Sequence, residues 1–135
     1  MEPERTKIIS SEDGRFEIKN AIMSINTPLK IIAPYGYSFK TNPNTKIIMT
    51  HPNHNRTFAQ AKYSNKIHIK LIIGVQDNID AAIFGSCNFT SNSVHNMHEI
   101  IIITTKKEDI DKLNSIFDKI WSRINSHRGI LNVNG

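Results

Sequence analysis

Residues 66–75 read KIHIKLIIGV, an apolar run with one imidazole and one ammonium set two positions apart. Side chains alternate between the two faces of a strand, so residues i and i+2 share a face. Read as a strand, the stretch sets His68 beside Lys70 and turns Ile67, Ile69 and Leu71 to the opposite, core-facing side. A lysine aimed into a core carries a heavy desolvation cost. The His–Lys face therefore looks onto solvent or onto a site.

The flanking sequence builds a fold around that strand. QDNID (76–80) is turn chemistry, and AAIFGS (81–86) is the expected hairpin partner. Upstream, SSEDGRFEIKNAIMSI (10–25) reads as an amphipathic helix capped by Ser11, with Ile18, Ala21, Ile22 and Ile25 at helical spacing and Pro28 ending it. The residues before it read as a polar lead-in. LKIIAPY (29–35) and TKIIMT (45–50) read as short strands, and residues 51–65 as mostly loop. CNFTSNSVHNMH (87–98) is a polar loop or a short helical turn, and EIIIITT (99–105) a fully buried strand. In the last helix Thr105 and Glu108 form a capping-box pattern, and Ile110, Leu113, Phe117, Ile120, Trp121 and Ile124 form the apolar stripe. SHRGILNVNG (126–135) reads as a fraying tail.

The expected fold class is α/β, a mixed β-sheet flanked by helices, in a single domain over residues 1–135. The YGYSFKTNPN connection (35–44) is short for a parallel crossover, so the strand order stays open.

Composition narrows the class without naming a function. Hydrophobic content of 39% and charged content of 21% fit a soluble folded domain. The longest apolar run is strand-sized, and MEPERTK has no apolar core of a secretory signal. Cys87 is the one cysteine, which excludes an internal disulfide and fits a reducing compartment, so a cytoplasmic location is expected. The net charge of +5 favours anionic partners such as nucleic acid, although its scattered placement also suits ordinary solubilisation.

The chemistry lies in two short segments. His68 and Lys70 come first; GSCNFTSNSVHNMHE follows, with Ser86 and Asn88 again two apart. Folded as a hairpin, the two segments can bring a nucleophile, a cation, a hydroxyl and an amide to one end of the sheet. Such a set suits a phosphate, with Lys supplying charge and Ser and Asn supplying hydrogen bonds to nonbridging oxygens.

In order, His68-Ile-Lys70, Gly85-Ser86-Cys87-Asn88-Phe89-Thr90 and Glu99 resemble the phospholipase D superfamily, whose motif is H-x-K, a spacer carrying an Asp, then G-S-x-N. The resemblance covers about residues 66–124 and extends more loosely to AIMSINTPLKIIAPY. It implies a phospholipase D-like fold with a shortened middle and a metal-independent phosphodiesterase without a cofactor. It also implies catalytic roles for His68, Lys70, Ser86, Asn88 and Glu99. His68 would attack phosphorus, Lys70 and Asn88 would hold the phosphoryl oxygens with Ser86 in support, and Glu99 would orient a histidine. The family needs a second histidine as general acid. This chain has one H-x-K, and the small single-motif endonucleases of the superfamily draw the second from a homodimer with the site on its twofold axis. The expected partners are thus nucleic acid, DNA ahead of RNA, and a second copy, with no membrane. With no room for a recognition domain, cleavage would be nonspecific unless a partner supplied specificity. A phospholipase or phosphatidyl transferase and a catalytically degenerate nucleic-acid-binding module are the alternatives.

One departure stands out. The family spacing puts its Asp near Val75, while Asp77 and Asp80 lie slightly further on. Restriction-enzyme-like branches of the superfamily also lack this Asp. Among the other histidines, His51 with His54 and His95 with His98 have zinc-ligand spacing, but Pro52 interrupts the first pair and neither has the context of a zinc motif, so no metal site is expected. His95 or His98 would instead help bind a nucleic-acid backbone. Cys87 is expected as a small core filler. Tyr35, Tyr37 and Phe39, beside Lys40, can stack bases, with core packing favoured for Tyr35.

Overall fold

The computed structural model describes the backbone of residues 4–53 and 55–134, and side chains as far as Ile124. Isoleucine pairs generate its architecture. Ile31 and Ile32 on β2 (Thr27–Ile32), and Ile47 and Ile48 on β3 (Lys46–Met49), are all fully buried. Neighbours on a strand face opposite ways, so both faces of the sheet must be covered. Ile31, Ile47, Ile72 and Ile83 join one core with Ile18 and Ile22 of α1 (Glu17–Ser24) and Val94 of α2 (Ser91–Asn96). Ile32, Ile48, Leu71 and Ile73 join another, against Ile110 and Phe117 of α3 (Lys107–Asn134). The result is three layers, with α1 and α2 over one face of the sheet and α3 over the other.

The described sheet has seven strands in the order β1-β7-β6-β5-β2-β3-β4. β5 (Leu71–Gln76) and β6 (Ile79–Gly85) form the expected hairpin. Asp77 and Asn78 both take positive φ, 50° and 69°, as a two-residue turn matched to strand twist requires. β5 is antiparallel to both β2 and β6, whereas β2, β3 and β4 (Gln60–Tyr63) run parallel. The β2–β3 and β3–β4 connections, residues 33–45 and 50–59, contain no described helix, which is the shortened middle anticipated from sequence.

Several boundaries differ from expectation. Residues 6–10 form β1 (Thr6–Ser10), an edge strand antiparallel to β7 (Ile100–Thr104), and not a polar lead-in. Only Ile9 of β1 is buried, so the strand carries no alternating pattern to read. β4 likewise lay hidden in a stretch read as loop: all four of its residues are half-buried. The first helix is broken by Gly14 into a 3₁₀ turn (Ser11–Asp13), capped by Ser10 and not Ser11, and α1. β7 is not fully buried, since Ile100 is 53% exposed. α3 continues to Asn134, through residues read as a fraying tail.

The apolar stripe of α3 packs as expected, with Leu113, Ile120, Trp121 and Ile124 around Phe117. Lysines from the strands below tie it down. Lys30 Nζ donates to Asn114 Oδ1 (2.8 Å) and to Asp118 Oδ1 (2.9 Å), and Lys62 Nζ donates to the Trp121 carbonyl (3.1 Å). Lys62 also lies 4.1 Å from the centroid of the Trp121 ring. Burial, and secondarily Lys46, lowers the Lys62 pKa. Part of the positive charge thus serves packing. The start of α3 is held by Thr104 and not by Thr105 with Glu108: Thr104 Oγ1 accepts from Lys106 N–H (3.1 Å) and donates to Asp109 (2.9 Å). Thr104 is buried. Thr104→Val, which keeps shape and removes these two bonds together with a third to Thr6 Oγ1 (3.3 Å), should cost about 1–2 kcal/mol in urea denaturation.

Candidate active site

Strand polarity gathers the motif residues. Because β5 is antiparallel to β6, the start of β5 meets the end of β6: Leu71 pairs with Phe84. β7 is antiparallel to β6, with Gly85 opposite Ile101, so its start lies at the same end. His68 and Lys70 just before β5, Ser86 and Asn88 just after β6, and Glu99 just before β7 therefore share one end of the sheet.

The details differ from the strand first read. β5 begins at Leu71, so His68 and Lys70 lie in the segment leading into it. Strict alternation fails there: Ile67 packs under α3, whereas Ile69, expected in the core, is 39% exposed. The His68 side chain is exposed, Lys70 is partly so, and neither makes a side-chain hydrogen bond within the described chain.

Ser86 and Glu99 form the firm part of the site. Ser86 Oγ donates to Glu99 Oε1 at 2.6 Å and accepts from Ile100 N–H at 3.1 Å. Gly85 permits this approach, because its φ is +156° and β7 runs against it: a Cβ there would meet the Ile100 carbonyl oxygen and lie 2.8 Å from Ile101 Cα. Glu99 is pinned from the other side by Ser11, whose hydroxyl accepts from Glu99 N–H (3.0 Å) and whose N–H donates to the Glu99 carbonyl (3.0 Å). Ser11 is expected from sequence as a helix cap, and no local spacing signals its partner 88 positions away.

Asn88 Oδ1 is buried and has no hydrogen-bond partner. A buried acceptor left unpaired is costly and uncommon. Between Ser86 and Asn88, Cys87 fills the core as expected, and burial, then the Glu99 charge, pushes its thiol up to about 12. That thiol is not a nucleophile at neutral pH.

The departure at Val75 acquires a geometry. Val75 pairs directly with Asp80 across the hairpin. Directly opposed residues of an antiparallel pair put their side chains on one face. Asp80 thus shares a sheet face with Val75, but at the hairpin-turn end of β5, away from His68 and Lys70.

His95 and His98 each have a hydrogen-bond partner away from the site. His98 Nδ1 lies 2.9 Å from Glu12 Oε2, and His95 Nδ1 lies 2.9 Å from the Ser91 carbonyl. His54 lies outside the described residues, and no group of three or more metal-ligating side chains gathers among those described. Nor is any described helix long and apolar enough to cross a membrane. The aromatics divide unexpectedly. Tyr37 is 5% exposed in the core beside Phe39 and Phe89, whereas Tyr35, expected to pack inside, is 65% exposed. Arg56, unremarked in the sequence, ties the loop by donating to the carbonyls of Tyr37 (2.7 Å) and Phe39 (2.6 Å).

Layers, topology and the clustered motif define a phospholipase D-like domain. The family model described as "Cardiolipin synthase, PLD-like domain" matches residues 20–121, and the chain belongs to that phosphodiesterase family. Among solved structures, NucT from Helicobacter pylori superposes with a TM-score of 0.60 at 17% identity, covering 89% of this chain and 97% of that one. Nuc from Salmonella typhimurium, a phospholipase D family member, gives 0.60 at 13% identity, with 89% and 95% covered. TrmBL2, an archaeal chromatin protein with a described mode of DNA binding, gives 0.52 at 12% identity, covering 89% of this chain and 53% of that one. No curated protein matches the sequence.

Proposed function

We propose that the chain is a metal-independent nuclease that cleaves phosphodiesters through a covalent phosphohistidine, at a site completed by a second copy. The observation that carries this reading is the convergence of the H-x-K, G-S-x-N and Glu99 segments at one sheet end. His68, exposed and unencumbered, attacks phosphorus; a nitrogen–phosphorus bond forms as the bond to the leaving oxygen breaks. That oxygen takes a proton from the other copy's equivalent histidine. A water, giving its proton back to that histidine, then attacks phosphorus and releases His68. Lys70 and the Asn88 amide NH₂ hold the nonbridging oxygens. Ser86 fixes Glu99, leaving its second oxygen to orient a histidine.

The net charge of +5 and the DNA-binding chromatin protein among the fold neighbours favour nucleic acid, DNA ahead of RNA. The family model's lipid-synthase description favours a second reading, a phosphatidyl transferase or phospholipase. Supercoiled plasmid and phosphatidylcholine assayed in parallel, each in excess EDTA, separate them. Plasmid relaxation that persists in EDTA is the expected result. Relaxation abolished by EDTA would overturn the metal-independent mechanism, and turnover of the lipid alone would overturn the nuclease assignment.

A further inference from the structure

We infer that the depression beside Tyr35 is a subsite for an unpaired nucleobase next to the scissile phosphate, so that the enzyme prefers single-stranded nucleic acid. This rests on the phosphodiesterase reading of the His68 site and adds a substrate class to it. The depression has a volume of about 310 Å³ and lies between the loops that follow β2 and β3. That size falls at the lower end of small-ligand pockets, about 300–1,000 Å³. Pro34 and the buried Met49 line it, with Tyr35, His51, Asn53 and Asn55 supplying its aromatic and polar groups.

Position links the depression to the reaction. Ile32 at the end of β2 pairs with Leu71 at the start of β5. Tyr35 lies three residues beyond Ile32, and Lys70 and His68 lie one and three residues before Leu71. Both segments leave the same end of adjacent strands, which run about 4.8 Å apart. A phosphate at His68 therefore carries its neighbouring nucleoside toward the depression.

The chemistry fits a base better than the other groups such a strand offers. Tyr35, 65% exposed, offers a ring face for stacking, which every base accepts. Asn53 Oδ1 accepts from the Asn55 N–H (2.8 Å), which leaves the Asn53 amide NH₂ as donor toward a base edge. None of the described residues lining the depression carries a carboxylate to repel the adjoining phosphates. The walls are set in advance: Thr50 N–H donates to the Pro34 carbonyl (3.1 Å) and Ala33 N–H to the Ile48 carbonyl (2.9 Å), joining the two loops. A duplex buries its bases in the stack and cannot present one to Tyr35; a single strand can.

The test measures binding in a His68→Ala background, so that nothing is cleaved and the outcome does not depend on activity. Fluorescent single-stranded DNA and RNA, the matching duplex, and phosphatidylcholine vesicles are each titrated in EDTA. Tyr35→Ala should weaken single-strand binding about tenfold, equivalent to ~1.4 kcal/mol and the size of one base–aromatic stack. Duplex binding should stay unchanged, and Tyr35→Phe, which keeps the ring, should bind within about twofold of the parent. The DNA and RNA arms report which sugar the site accepts. Equal losses on single strand and duplex, no loss at all, or no oligonucleotide binding by the parent would overturn the proposal. Loss confined to the vesicles would assign the depression to a choline headgroup instead. A wild-type chain that cleaves neither plasmid nor single-stranded oligonucleotide would refute the nuclease reading, while the binding arms still decide the subsite.

Discussion

His68→Ala should abolish plasmid cleavage, lowering the rate at least about 10³-fold while leaving the fold intact. His68 is exposed, hydrogen-bonds to nothing in the described chain, and lies outside the strand ladder. Its removal therefore opens no cavity and orphans no partner, and the melting temperature should not move. The cost is chemical. Without the imidazole no covalent intermediate forms, and the same substitution on the other copy removes the proton donor for the leaving oxygen. A conserved rate in His68→Ala would leave the site without a nucleophile and end the mechanism. Lys70→Ala should also be severe, but milder, because it removes a charge that steadies the phosphoryl group and not the bond-forming atom.

Gly85→Ala should be the most damaging single-methyl change at the site, costing about 3 kcal/mol or more in chemical denaturation. The new Cβ meets the Ile100 carbonyl oxygen and Ile101 Cα, both backbone atoms of a central pairing, at a residue with φ of +156°. Neither can yield without parting β6 from β7. The same parting pulls Ser86 from Ile100 N–H and Glu99, so whatever protein remains folded should lose activity as well. Loss of activity with unchanged stability would show that the close approach of these strands is not what holds Ser86 in place.

The sequence announced this architecture where chemistry is local. The paired isoleucines 31/32 and 47/48 could satisfy both neighbours only in a sheet covered on two faces, and Asp77-Asn78 could serve only a tight hairpin. The α3 stripe was legible for the same reason, since helical spacing alone gathers it. β1 and β4 were not legible, because edge strands are made by the hydrogen bonds of their neighbours and bury little on either face. The site divides in the same way. Its residue types stood out as a motif, but Ser11 holding Glu99 depends on strand pairing. Tyr35 shows the limit most clearly: Tyr35 and Tyr37 flank one glycine, and only the turn at Gly36 decides that Tyr37 is buried while Tyr35 faces solvent.

The central claim is that one H-x-K is half of a site. Co-refolding wild-type chain with His68→Ala at constant total concentration tests it most directly. If each site needs both histidines, only wild-type pairs cleave, and an equal mixture should retain about a quarter of the full rate. A mixture retaining about half, falling in simple proportion to the wild-type fraction, would mean that each chain works alone and would contradict the shared site.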